Sequence, residues 1–180
     1  MSAKKKNSDF QPTKHFVLNE ICLWTTSLSR ENDYDPGKHD GKCSAQTYKR
    51  AEPSFYQVNV EGEDDDLILL RVLVDLGVRT VFKGGDDSPG EEIIFQLEAV
   101  FAAEYFVTDP PSAEDFKAFV EFNCVHNVWP FWRQHVYDTL KRASLPVPTI
   151  PLYAGRNQLR PKKYTRKKLV GSRADVSDSL

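Results

Sequence analysis

Between Glu92 and Phe106 apolar and polar side chains alternate: Ile93, Phe95, Leu97, Ala99, Phe101 and Ala103 fall on one side, and Gln96, Glu98 and Glu104 on the other. Successive side chains of an extended chain point to opposite faces, so a period of two over this length specifies a strand. One face must meet a core while the other is wet or meets a partner, as in an antiparallel sheet rather than a parallel sheet covered on both sides. Three upstream segments are predicted to join it. Phe16 to Leu28 alternates imperfectly through Phe16, Leu18, Ile21 and Leu23; Tyr56, Val58 and Val60 alternate with Gln57, Asn59 and Glu61. Leu67 to Asp75, extending towards Phe82, is rich in Leu and β-branched residues, which favour strands. The acidic run 63–66 and the sequence Gly84-Gly-Asp-Asp-Ser-Pro-Gly90 supply the turns.

The period changes after Pro110-Pro111. Ser112-Ala-Glu-Asp115 matches a capping box, which predicts a helix start. Phe116, Phe119, Val120 and Asn123 keep helical spacing. An interruption is expected near Asn127, with Pro130 in the first turn of a second helical segment carrying Trp132, Val136 and Leu140. Pro146, Pro148 and Pro151 end regular structure. Strands first and helices last give an α+β fold: a four-stranded antiparallel sheet with C-terminal helices packed on one face. One domain is expected over residues 16–153. It contains a long polar loop at 30–50, and is flanked by segments 1–15 and 154–180 that read as disordered.

With 180 residues and 40% apolar content, the chain can bury roughly 70% of its unfolded surface without cross-links. No apolar run reaches the length of a membrane span, which excludes membrane insertion. The N-terminal lysines are not followed by an apolar segment, so no secretory signal is expected. Three cysteines, at 22, 43 and 124, lack CxxC spacing, which favours reduced thiols and a cytoplasmic protein. The net charge of -2 conceals a separation of signs. Residues 61–121 hold 16 Asp/Glu against four Lys/Arg, whereas residues 156–173 hold eight Lys/Arg and no acid. Like-charge blocks of this kind belong to solvated or interacting segments. The basic tail is open to folding back on the acidic body, to a partner, or to nucleic acid.

The segment Asn127-Val-Trp-Pro-Phe-Trp-Arg133, followed twelve residues later by Leu145-Pro-Val-Pro-Thr-Ile-Pro-Leu152, resembles the SecB export-chaperone family. Val17-Leu-Asn-Glu-Ile21, Tyr56-x-Val-x-Val-Glu61, Leu69-Leu-Arg-Val-Leu-Val74 and Phe95-x-Leu-Glu98 resemble its four strands in order. The resemblance covers residues 16–153 apart from the long loop, and leaves out the N-terminus and the tail. It implies a SecB-like fold assembled as a homotetramer, a dimer of dimers, that holds non-native polypeptides without ATP. In exporting members, acids on the exposed sheet face dock the translocation ATPase SecA. Glu20 and Glu98 match two of these acids; Trp24 stands where another acid is usual and Gln96 where an apolar contact is usual. These departures and the basic tail tell against SecA docking, and the segment 118–152 looks closer to SecB-like chaperones that serve toxin–antitoxin modules. The implied client is therefore an antitoxin, and general export to SecA is the alternative.

Chaperoning requires accessible apolar surface, and aromatic side chains provide large contact area at low entropy cost. Three Trp and 11 Phe are present. Phe55, Tyr56, Val58, Val60, Trp129, Phe131 and Trp132 are the candidate client contacts. Positions 131 and 132 point about 100° apart on a helix, so one core stripe does not readily absorb both. A helix or subunit interface is the competing role for these aromatics, and ordinary core is the competing role for Tyr56, Val58 and Val60. Loop 30–50 would form a flexible lip, and strand addition would allow capture without sequence demand. No catalytic residue is assigned. Cys124, His126 and His135 lack the geometry of a shared metal or an activated nucleophile, the glycines form no phosphate loop, and no cofactor is expected. A small enzyme or a nucleic-acid-binding protein remains the alternative of another class, the latter through the tail alone.

Overall fold

The computed structural model describes residues 10–59, 67–83 and 90–153. A short helix α1 (Pro12–His15) precedes strand β1 (Phe16–Arg30), and a second short helix α2 (Pro36–His39) precedes β2 (Cys43–Val58). Strands β3 (Leu67–Lys83) and β4 (Glu91–Val107) follow, then α3 (Ala113–Ala118), a π-helical turn over Phe119–Cys124 and α4 (Val125–Arg142). All strand pairs are antiparallel and the sheet order is β1-β4-β3-β2. Strands β2, β3 and β4 are successive neighbours and β1 returns beside β4, a Greek-key arrangement.

Strand pairing puts the apolar sides of β3 and β4 in register. Leu70 lies opposite Tyr105, Val72 opposite Ala103, Val74 opposite Phe101, Leu76 opposite Ala99 and Val78 opposite Leu97. All are buried, and the helical layer supplies Phe119, Val120, Cys124, Val125, Val128, Trp132, Val136 and Leu140 to the same core. The opposite face of the sheet carries Arg71, Asp75, Arg79, Gln96, Glu98 and Glu104 and has no layer over it among the described residues.

The strand boundaries revise two expectations. The stretch 30–50 is not a long loop: β1 runs to Arg30 and β2 begins at Cys43. Strand β2 is an edge strand exposed along both faces, so its sequence through Thr47, Lys49, Arg50 and Glu52 is polar and lacks the alternation by which a half-buried strand is recognised. The remaining connection, 31–42, is pinned rather than a flexible lip. The backbone N–H groups of Glu31 and Asn32 donate to the Ile94 carbonyl, Asn32 Nδ2 donates to the Ile93 carbonyl at 2.8 Å, and His39 is buried edge-on against Phe82. Ile94 can accept both because it is the extra residue of a bulge between the Thr80–Phe95 and Val81–Ile93 pairs. The N-terminal segment is likewise partly ordered, with α1 preceding β1 and Phe10 stacked 5.4 Å from His15.

The helical layer also differs in detail. Ser112 caps α3 as expected, its Oγ accepting from the Asp115 N–H at 3.2 Å. The irregularity falls at Phe119–Cys124, and Pro130 sits inside a continuous α4 rather than at the start of a second helix. A π turn widens the helix by one residue per turn and resets which side faces the sheet. Helix α4 ends in a Schellman motif: Leu145 N–H reaches the Leu140 carbonyl and Ser144 N–H the Lys141 carbonyl, with Ser144 at φ 54°. Leu145 and Ile150 then bury against the core, so the Pro-rich segment straps back along the helix.

Candidate client and docking surfaces

Phe55 lies on the helix side of β2, opposite Leu70. A chain of rings runs from the core to this point. Tyr105 meets Phe119 edge-on at 5.0 Å, Phe119 stacks on Phe16 at 3.9 Å, Phe16 approaches Phe116 at 6.4 Å, and Phe116 lies 5.3 Å from Phe55. Phe55 itself is 57% exposed. An aromatic ring held from below by others, and bare on its outer side, can accept apolar groups of a client without reorganising. Phe116 belongs to this site and was not singled out from the sequence, where it read only as one position of a helical period.

The other client candidates do not assemble around Phe55. Tyr56 is on the opposite pleat, 43% exposed, with Val58 half-buried on the same open side. The core role considered for these two does not hold, because β2 is the sheet edge. Val60 lies outside the described residues. Trp132 is corrected outright: at 1% exposure it is among the largest side chains of the core and is closed to a client. Positions 128, 132, 136 and 140 form the buried stripe of α4, and Trp132 falls on it. Trp129 is half-buried beside the chain's own strap, its Nε1 donating to the Pro151 carbonyl at 2.8 Å and its ring 5.2 Å from Tyr153. Phe131 alone of this aromatic group points outward, at 48% exposure.

The four docking-face candidates do share a surface. Glu20 lies opposite Glu104, and Gln96 and Glu98 alternate with the buried side of β4. Trp24 is the extra residue of a bulge between Leu23 and Thr25, which re-aims its ring over the open face. There it covers Arg71 at 5.1 Å while Tyr56 covers the same guanidinium at 4.9 Å, and both Nε and Nη2 of Arg71 reach Glu104 Oε1 at 2.7 Å. Gln96 Nε2 donates to Glu98 Oε1 at 2.7 Å. At the centre of the face the Tyr48 hydroxyl lies 3.0 Å from Asp75 Oδ1 and 3.1 Å from Glu98 Oε1. Burial and these two carboxylates hold that phenol protonated far above the usual tyrosine range. Gly77, directly opposite Tyr48, leaves the room that the ring needs.

The Cys/His group is dispersed by the fold. Cys124 is fully buried beside Tyr105, and burial pushes its thiol up to about 12. His126 stacks 6.0 Å from Phe122, and His135 Nε2 lies 2.8 Å from Thr26 Oγ1. Among the described residues no three His, Cys, Asp or Glu side chains are grouped to hold a metal ion. No helix described is long and apolar enough to cross a membrane.

No protein-family model matches the chain, and no curated protein does. Among solved structures it is similar to Rv1957 of Mycobacterium tuberculosis, a SecB-like chaperone in complex with a ChAD peptide from the Rv1956 HigA1 antitoxin. The superposition has a TM-score of 0.51 at 16% identity and covers 79% of this chain and 94% of that chain. The fold is SecB-like. The Phe55–Phe116 surface and the Glu20–Trp24–Gln96–Glu98 face are two of the surfaces left uncovered among the described residues.

Proposed function

We propose that the protein is an ATP-independent holdase for non-native polypeptide, dedicated to an antitoxin of a toxin–antitoxin module. The observation that carries this reading is the bare aromatic surface at Phe55, backed by Phe116 and continuous with the core, on a SecB-like fold. The similar fold of Rv1957 bound to an antitoxin-derived peptide supports the choice of client. An extended client segment would lay apolar side chains on Phe55 and Phe116 while pairing along the edge of β2. Assembly as a homotetramer belongs to the same proposal. Leu18 and Leu23 on the helix side of β1 and Val17 on its open side are about half exposed in a single chain, apolar surface suited to another copy. A cytoplasmic setting fits three free thiols, and no catalytic step or cofactor enters the reading.

The deciding experiment is suppression of aggregation of a chemically denatured client. Aggregation should slow at less than one tetramer per client, and should slow far less with Phe55→Ala; no slowing by the native protein ends the holdase reading. Co-purification from cells distinguishes the clients: one dominant small partner supports dedication, and many preproteins support general export. Delivery to SecA is the second reading, favoured by Glu20 and Glu98 sharing the open face. It requires tight, charge-dependent SecA binding that is lost in Glu98→Lys.

A further inference from the structure

The last described residue, Tyr153, is held at a defined place. Its hydroxyl accepts from Lys49 Nζ at 2.7 Å and lies 3.3 Å from the Glu121 carbonyl, and the Lys49 ammonium sits 4.4 Å from its ring centroid. Lys49 is on the helix side of β2, opposite Leu76. The next residue back, Tyr48, is on the open side, where its single hydroxyl proton is shared between Asp75 and Glu98. The chain therefore leaves the described fold at the edge strand, level with a pair of carboxylates on the other face.

Those carboxylates form no ion pair among the described residues, although Arg50 stands opposite Asp75 in the sheet. Six acids among the described residues occupy the open face. Glu52 is paired with Arg50, Glu91 with Lys83 and Glu104 with Arg71, whereas Glu20, Asp75 and Glu98 form no ion pair among the described residues. The remaining arginine of the face, Arg79, donates to Gln46 Oε1 at 2.7 Å. Glu98 Oε1 also accepts from Gln96 Nε2, and each carboxylate still has lone pairs left for an incoming cation.

We propose that the chain's own basic tail, residues 156–173, turns round the edge of β2 and lies on this open face, with its Lys and Arg side chains on Asp75 and Glu98. The tail carries eight Lys/Arg and no acid. Its first cation, Arg156, is three residues beyond Tyr153, a span on the order of 10 Å, enough to pass from one side of an edge strand to the other. Among the described residues nothing lies beyond β2 to block that path. Tethering gives the tail an effective concentration in the millimolar range, so it has the advantage over a free basic partner. Trp24 and Tyr56, exposed beside Arg71, offer flat surfaces to further cations along the same face. This docking does not rest on the client reading, since it uses the opposite side of the sheet. It would make the open face available to another protein only by displacement of the tail.

Carbodiimide coupling of the full-length protein, which joins a carboxylate to a lysine amine in direct contact, tests this. Equal amounts of 15N-labelled and unlabelled chains are mixed and the products read by mass spectrometry. The expected products join Asp75 or Glu98 to Lys162, Lys163, Lys167 or Lys168 within one chain. Their yield should fall at least five-fold in 0.5 M salt. Charge reversal at the four tail lysines leaves the sheet untouched, and should raise the affinity of an added oligolysine peptide for the native face at least five-fold. Coupling that is absent, that favours helical-layer acids such as Glu114 and Asp138, or that joins mainly labelled to unlabelled chains overturns the proposal, as does unchanged oligolysine affinity.

Discussion

At the scale of single residues, neighbouring positions in one motif have opposite fates. Trp132 is enclosed by the core, whereas Phe131 is half exposed on the outer side of α4. Trp132→Ala is therefore expected to cost about 3–5 kcal/mol and Phe131→Ala about 0.5 kcal/mol or less, both read from urea denaturation. The thiols divide in the same way. Cys124 is buried with its proton held tightly, while Cys22 and Cys43 are half exposed. In the native protein Cys22 should react with an alkylating reagent within minutes and Cys124 only after unfolding, as resolved by peptide mass spectrometry. His135 contributes a pH dependence. Burial first, then Arg142, lowers its pKa below 6.5, with Asp138 opposing. The folded state thus disfavours protonation. Its contribution to stability is complete above pH 6.5 and is lost as pH falls through the depressed folded value. The melting temperature of the native protein should fall more between pH 7.5 and pH 5 than that of His135→Gln.

Among the elements, the sheet was legible where one face is buried and obscure where neither is. Strand β4 could be read nearly residue by residue, because its alternation records a core on one side. Strand β2 could not: as an edge strand it carries Lys49, Arg50, Glu52 and Pro53 in a polar run resembling a loop. The capping box at Ser112 was legible because a cap is a local arrangement, and Ser112→Ala should cost about 1 kcal/mol. The end of α4 was less so. Ser144 occupies the left-handed position of the Schellman motif, where glycine is unstrained. Ser144→Gly is expected to stabilise by about 0.5–1 kcal/mol in chemical denaturation. In the sheet, a methyl group at Gly77 would collide with the Tyr48 ring, so Gly77→Ala should displace the ring and break its contacts with Asp75 and Glu98. A red-edge change in tyrosine absorbance together with a loss of about 1–2 kcal/mol would report this.

For the whole molecule, the candidate client and docking surfaces lie on opposite sides of one sheet. The aromatic surface at Phe55 and the polar face around Tyr48 can act independently because β2 carries both, on alternate residues. Assembly is expected to place four 20.6 kDa chains in one particle, measurable by light scattering. Introducing a charge with Leu23→Glu should shift the mass to smaller species while leaving the far-ultraviolet circular dichroism unchanged. A mass of one chain for the native protein would remove the tetramer from the functional reading.

By itself the amino-acid sequence determined the order of strands and helices, the buried side of β4, the cap of α3, and the uneven distribution of charge. These follow from local periodicity and local hydrogen bonding, which each segment carries within itself. Tertiary structure decided the rest. It set which strands stand at the edges, that Trp132 faces inward and Phe131 outward after a π turn, and that a bulge turns Trp24 onto Arg71. It also brought Asp75 and Glu98 to one hydroxyl from separate strands, and fixed Tyr153 beside Lys49. Such outcomes depend on register and on contacts between residues distant in the chain. A single extra residue in a strand or helical turn redirects every side chain beyond it, and no pattern within the segment records that choice.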